Sequence, residues 1–376
     1  MHIIIPKEMT PGENRVAATP DTISKMLAAG FTVSVESQAG EKSHLTDQAY
    51  IVSGAQIETD VKNLYAKADI ILKVQPPIFN EKLGVHEIDL MRDHTILFAP
   101  ITAQQTDLIE KLTAKSITTF SLLLLPRIAR AQSMDILSSM SNIAGYKSVI
   151  LAADYLTKFF PMLTTAAGTI LPAKAIVIGV GVAGLQAIAT ARRLGAVVIA
   201  FDTRPATEEQ VKSLGAKFVS LASTHHETQD VGGYAKAQSA DFYQQEQTII
   251  TNYLQEADIV ITTALIPGKS APLLITAEMI DLMKPGSVIV DLAAEQGGNC
   301  AFTEKGKIVV KNHITFIGLT NLPSLLAAHA SQLFAKNIWS FLNYMVKQIP
   351  NKEFDLTDEI IKNCLLTRAP EVVLPQ

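Results

Sequence analysis

Residues 175–204 read AIVIGVGVAGLQAIATARRLGAVVIAFDTR, and this stretch decides the fold. The β-branched run Ala175–Ile178 predicts a buried strand, followed by the G-x-G-x-x-G turn Gly179-Val180-Gly181-Val182-Ala183-Gly184. Leu185–Leu194 continues as a helix, with Gly195 placed to cap its C-terminus. Val197–Phe201 reads as the next parallel strand, which stops at Asp202. Strand, glycine turn, helix and terminal acid together predict a dinucleotide site. Gly179 allows the tight turn, Gly181 lets backbone approach a pyrophosphate, and Gly184 lets helix and strand pack closely. Unpaired N–H groups at the helix start, and the positive end of its dipole, attract the pyrophosphate. A membrane span is the rival reading of the uncharged run 175–191. The three glycines, the following Arg192-Arg193 and a length at the short limit for spanning oppose it.

The same stretch addresses cofactor choice. Asp202 favours a free ribose 2′-hydroxyl and repels a 2′-phosphate, so NAD(H) is expected over NADP(H). Arg204, two residues on, is of the type that accepts a 2′-phosphate. It can equally pair with Asp202 or lie along the adenine. Ala264-Leu265, after the strand Asp258–Thr263, and Ala293–Gly298, after Ser287–Asp291, fall at strand C-termini, where such sheets bind ligands. Later strands are predicted at Ala216–Val219 and Thr315–Leu319.

The chain of 376 residues is long enough for about two domains. It is 48% hydrophobic and 18% charged, with a net charge of −4 and no basic–aromatic runs, which argues against nucleic acid as a partner. The two cysteines, Cys300 and Cys364, lack metal-ligand spacing and read as reduced thiols of a cytosolic protein. The N-terminal MHIIIPKE has no signal-peptide pattern. Strands are predicted at His2–Ile5, Phe31–Val35, Asp69–Val74, Thr95–Phe98 and Ile117–Leu125, and helices at Pro20–Ala29, Thr46–Ser53 and Ala103–Lys115. Such alternation predicts a mostly parallel sheet covered on both faces. The expected fold is therefore α/β: two Rossmann-like doubly wound parallel-sheet domains joined by long helices, with a cleft between them. The first domain takes residues 1–125 and 321–376, with a helix over Asn321–Trp339. A connecting loop and long helix take 126–171, and the dinucleotide domain takes 172–320.

Three polar segments stand out. In the connecting segment a helix is expected from about Ser133, and Gln132, Asp135 and Ser138 share one face at i, i+3 spacing. Two readings stay open there: a polar face holding a nicotinamide end, or an ordinary polar helix start. The stretch 223–247, with Gly232-Gly233-Tyr234 at its centre, is long and polar, as a lid over a ligand would be. Its His225-His226 reads as solvated, and no metal site is expected. Arg15 lies in the loop GENRVAATP, as a carboxylate or phosphate anchor or as a surface residue on a turn.

Four motifs, RIARAQSMDILSSM at 127–140, GVGVAGLQAIATARRLGA at 179–196, VGGYAK at 231–236 and DLAAEQGGNC at 291–300, give the chain a resemblance to a known family. It resembles the NAD(H)-binding domain I of proton-translocating nicotinamide nucleotide transhydrogenases and, more distantly, alanine dehydrogenases. That resemblance implies hydride transfer from NADH bound here to NADP⁺ on a partner subunit, coupled to proton translocation by membrane subunits. It implies a homodimer, held from the cytoplasmic face of the membrane by its partners. It places Arg127, Gln132, Asp135 and Ser138 near the reacting ring, with Ile128 beside them. Gly179, Gly181, Val182, Ala183 and Gly184 would hold the pyrophosphate, Asp202, Thr203 and Arg204 the adenosine, and Ala264 and Leu265 would line the cofactor. Gly233 and Tyr234 would belong to a mobile loop.

Alanine dehydrogenases carry a Lys, a His and an Asp where this chain has Gln75, Thr102 and Glu295, while Arg15 is retained. Amino-acid oxidation needs proton-transfer groups, whereas hydride transfer between two nicotinamides does not. An alanine-dehydrogenase-type enzyme and a non-catalytic NAD(H)-sensing protein are the alternatives.

Overall fold

The computed structural model describes residues 1–221, 240–266, 269–349, 353–368 and 371–372. They fall into two compact units, residues 1–140 with 323–376, and residues 141–322.

The sheet of the first unit begins with His2–Ile5 (β1), Thr32–Glu36 (β2), Gln56–Glu58 (β3), Ile70–Leu72 (β4), Ile96–Phe98 (β5) and Thr118–Phe120 (β6). These lie parallel in the order β3-β2-β1-β4-β5-β6. Leu365–Arg368 and Glu371–Val372 extend the β6 edge antiparallel. Alternate residues feed two cores: Ile3, Ile5, Ile70 and Leu72 pack on one side, and Ile4, Ile71 and Leu97 on the other. A parallel strand covered on both faces has no polar side to show, which explains the unbroken apolar runs. Ile117–Leu125 is shorter as a strand than expected. It ends at Phe120, and Leu122–Leu124 turns as a 3₁₀ helix.

In the second unit the strands are Lys174–Ile178 (β7), Val197–Asp202 (β8), Lys217–Ser220 (β9), Ile259–Thr262 (β10), Val288–Asp291 (β11), Ile308–Lys311 (β12) and Ile314–Ile317 (β13). Their order is β9-β8-β7-β10-β11-β13-β12, and only the β12–β13 pairing is antiparallel. Both sheets reverse direction of winding beside their first strand, so each unit has the doubly wound α/β architecture expected from the sequence. In the second unit the reversal lies between β7 and β10, whose C-terminal ends carry Gly179 and Ala264.

Four helices carry or support the residues described below: Ile136–Tyr155 (α1), Val182–Arg193 (α2) and Ala240–Leu254 (α3), and, in the first unit, Ala327–Tyr344 (α4). The helix α2 starts three residues earlier than expected, because extended Gly181 is already its N-cap. It ends as a Schellman turn: Gly195, at φ 95°, donates to the Arg192 carbonyl, and Ala196 donates to that of Ala191. Residues 240–247 of the expected polar loop are the first half of α3.

Candidate functional site

In the second unit the glycine turn is built as backbone chemistry requires. Gly179 takes φ 92°, a conformation that L side chains rarely adopt, and a Cβ there would lie 2.6 Å from the Thr263 hydroxyl. A Cβ on Gly184 would sit 1.9 Å from the Gly179 carbonyl oxygen, so only glycine lets α2 come this close to β7. A Cβ on Gly181 would meet nothing within 4 Å, and α2 has no side-chain cap. Open space above an uncapped helix N-terminus fits an anionic pyrophosphate, held by the backbone N–H groups of the first turn. Val182 is exposed there, and Ala183 half-buried.

One contributor lies outside the four sequence motifs. A Cβ on Gly145 would lie 2.1 Å from the Ala183 carbonyl oxygen, so α1 supports the first turn of α2 backbone to backbone. A glycine inside the helical run NIAGYK is its signal in the sequence.

Asp202 closes β8 with a buried carboxylate. Its Oδ2 accepts the Val180 N–H at 2.6 Å and Arg204 Nη2 at 2.8 Å, and its Oδ1 accepts the Arg204 backbone N–H and Nε. Arg204 thus pairs with Asp202, and this pairing pushes the guanidinium pKa further up. Thr203 between them is half-buried. Beyond β10, Ala264 is held at both backbone groups by Asn299. The Asn299 side chain accepts from the Ala264 N–H at 3.1 Å and donates to its carbonyl at 2.9 Å. Asn299 is fully buried, and its own N–H donates to Asp291 at the end of β11. The NC ending of the DLAAEQGGNC motif therefore fixes the turn that carries Ala264 and Leu265. Gly233, Tyr234 and the His225-His226 pair lie outside the described residues. Among the described residues, no cluster of His, Cys, Asp or Glu is placed to hold a metal ion.

The polar segment of the first unit corrects the expectation of one shared helix face. Ala129–Met134 is a 3₁₀ helix, Asp135 is extended at φ −76° and ψ 94°, and α1 begins only at Ile136. Asp135 caps α1: its Oδ1 accepts the Ser138 N–H at 2.9 Å, and its Oδ2 accepts the Ser138 hydroxyl at 2.5 Å. Asp135 and Ser138 are thus brought together, while Gln132 stands apart on the preceding turn, exposed like Arg127. Ala131 and Met134 anchor that turn in the core with half-buried Ile128 against them, and Asn337 of α4 donates to the Ser133 carbonyl at 2.8 Å.

Arg15 proves buried. Its Nε and Nη2 donate to the two Glu13 carboxylate oxygens at 2.8 and 2.6 Å, and Gln75 donates to the same carboxylate at 2.6 Å. Arg15 and Gln75 hold the Glu13 carboxyl down at about 2, against the opposing effect of burial. Lys73, on the same KVQ stretch, is fully buried 2.8 Å from Glu87 and 3.3 Å from Glu8. Thr102 is half-buried and Glu295 exposed.

The family described as "Alanine dehydrogenase/PNT, N-terminal domain" matches residues 4–144, and its C-terminal counterpart matches residues 148–375. Over its whole length the chain is 48% identical to an NAD(P) transhydrogenase subunit alpha chain of Rhodospirillum rubrum, covering 98% of that protein. Among solved structures, the transhydrogenase of Sinorhizobium meliloti is 42% identical, with a TM-score of 0.85 over 100% of this chain and 99% of that one. An L-alanine dehydrogenase structure is 26% identical, with a TM-score of 0.82 over 100% of this chain and 97% of that one.

Proposed function

The chain belongs to the alanine dehydrogenase/PNT family, and from that premise we propose that it works as the NAD(H)-binding subunit of an NAD(P) transhydrogenase. Whole-length similarity to a transhydrogenase alpha chain supports that place within the family. The observation that carries nucleotide binding is the glycine turn, with an open position above Gly181 and an uncapped helix start beyond it. Gly181, Val182, Ala183 and Gly184 would present backbone to the pyrophosphate. Asp202 would accept from the adenosine ribose, with Thr203 and Arg204 alongside, while Ala264 and Leu265 would line the cofactor. When bound, NADH supplies the hydride, which passes to NADP⁺ on a partner subunit.

Arg127, Gln132, Asp135 and Ser138, with Ile128, would form the polar holding segment for the nicotinamide end. The Asp135–Ser138 pair keeps that segment's geometry, which leaves Gln132 as its outward amide. Gly233 and Tyr234 would belong to the covering loop. The chain would pair with itself and reach the membrane through other transhydrogenase subunits. Among the described residues, no helix is long and apolar enough to cross a membrane.

Amino-acid oxidation is the poorer reading. Arg15, the retained carboxylate anchor, already has its guanidinium engaged with Glu13, and Gln75 shares that partner. Gln75 and Thr102 offer no group that exchanges protons near neutral pH.

The deciding assay follows NADH-dependent reduction of an NADP⁺ analogue by this chain with and without an NADP(H)-binding partner, beside a reaction with L-alanine and NAD⁺. Activity is expected only in the mixture. Turnover of L-alanine by the chain alone overturns the proposal.

A further inference from the structure

Helix α3 buries a stripe at i, i+4 spacing, Phe242, Glu246, Ile250 and Leu254, in which one acid replaces an apolar residue. Ile250 and Leu254 share a core cluster with Phe201, and the Tyr253 ring meets that of Phe201 edge-on at 5.2 Å. Phe201 immediately precedes Asp202. One turn before Ile250, Glu246 is therefore carried toward the end of β8 where Asp202 stands, and it is only 2% exposed. An acid in an apolar stripe, buried beside a second acid, costs stability and calls for a functional explanation.

We propose that Glu246 is a second selectivity residue at the adenosine end of the nucleotide, one that turns away a 2′-phosphate once its own carboxyl is ionised. The proposal rests on reading Asp202 as the ribose acid. Among the described residues, the charged groups around Glu246 are few. The Asp202 charge acts on it from the end of β8, where Arg204 pairs with Asp202, and Lys217 of β9 lies two turns along α3, over the Tyr253 ring at 5.2 Å. Burial, and then the Asp202 charge, push the Glu246 carboxyl up to about 8. Below that value the carboxyl is neutral and Arg204 balances Asp202. Above it, a second carboxylate stands beside the Asp202–Arg204 pair, and a doubly charged 2′-phosphate meets an excess negative charge. The uncharged 2′-hydroxyl of NADH escapes that repulsion, so the preference for NADH rises as pH passes upward through about 8.

The test measures the Kd of NADH and of NADPH, through their own fluorescence, for the full chain at about pH 7 and about pH 9.5. Both conditions lie above the second ionisation of a phosphate ester, near 6. The ratio of NADPH Kd to NADH Kd is expected to rise roughly tenfold in the wild type and to stay flat in Glu246→Gln. Glu246→Met, which completes the apolar stripe, gives a second uncharged variant if the Gln form does not fold. A flat wild-type ratio, or the same rise in both uncharged variants, overturns the proposal. Asp202→Asn separates it from the reading beneath. Unchanged NADH binding in that variant removes the ribose reading and this proposal together. Weakened NADH binding there, with an undiminished pH rise in Glu246→Gln, removes this proposal alone.

Discussion

Glu13–Arg15 and Asp202–Arg204 are the same device in two settings: an acid, one residue, then an arginine whose Nε and Nη2 both return to the carboxylate. Their surroundings differ. Glu13 is fully enclosed, and its oxygens also accept from Gln75, the Ser324 hydroxyl and the backbone N–H groups of Asn14 and Arg15. Those partners tie the N-terminal loop to β4 and to the approach to α4, so this pair acts as a strut. Asp202 closes a strand beside an open glycine turn, with an Arg204 side chain that keeps 17% exposure. One of its bonds goes to Val180 inside the G-x-G. A carboxylate shared between the glycine turn and a partly exposed arginine can exchange partners with a ligand. On the proposed reading, an identical sequence spacing would serve stability in one place and recognition in the other, according to how enclosed the arginine is.

The sharpest way to break the comparison is to cut each pair at its acid. Glu13→Ala takes away the carboxylate that the buried Arg15 guanidinium is paired with, and a loss of about 3–5 kcal/mol in denaturant unfolding is expected. NADH affinity of the molecules that remain folded should hold. A weakened Kd there would mean that Glu13–Arg15 serves the nucleotide and is no mere strut. A double change to Leu and Met should recover most of the loss, because an apolar pair needs no partner.

The acid limb of the stability curve tests the same strut without mutation. Glu13 binds its proton less readily in the folded chain, near 2, than at the ordinary 4.5. Its contribution is complete above the ordinary value and drains away as pH falls toward 2, by about 3 kcal/mol. Glu13→Gln should lack that share of the acid slope. An identical slope in both proteins would assign acid sensitivity to other carboxylates.

The two pairs also differ in how far the sequence reveals them. Asp202 is legible because every neighbour that defines it lies within about thirty residues: strand, glycines, helix and second strand follow a local order that only a few packings satisfy. Glu13 and Arg15 are opaque because their burial depends on Gln75 and Ser324, far along the chain. Arg15 alone looks equally like an anchor and a surface residue. In Arg127–Ser138 the spacing suggests a 3.6 periodicity where the chain turns twice. The Asp135 side chain reaches the Ser138 N–H, which requires an extended backbone at Asp135, so capping overrides the helical pattern. Ile308–Lys311 gives a weaker strand signal, because its apolar run is only Ile308-Val309-Val310, on a half-exposed antiparallel edge. Glu246 is hidden inside a stretch whose polarity speaks for a loop.

On the recognition side the expected effects are smaller and fall on binding. Asp202→Asn keeps the size of the side chain and loses its charge. NADH affinity should drop about tenfold, the worth of roughly 1.4 kcal/mol. Unfolding should move by less than it does in Glu13→Ala. The measurement is NADH fluorescence titration beside denaturant unfolding of the same sample. A stability loss matching that of Glu13→Ala, with NADH binding intact, would make the second pair a strut like the first.

Arg204→Ala is the smallest change and the most discriminating. Its guanidinium is partly exposed, so solvent screens the pair, and the stability cost should stay under about 1 kcal/mol. If the arginine only balances Asp202, its loss leaves that carboxylate with the Val180 N–H and the backbone N–H of residue 204, and open to accept from a ribose. NADH Kd should then change by about threefold at most. A loss as large as that of Asp202→Asn would show that the guanidinium itself touches the nucleotide, as it would along an adenine face. The open setting of this pair allows that second role to its arginine, whereas the enclosed setting of Arg15 forbids it.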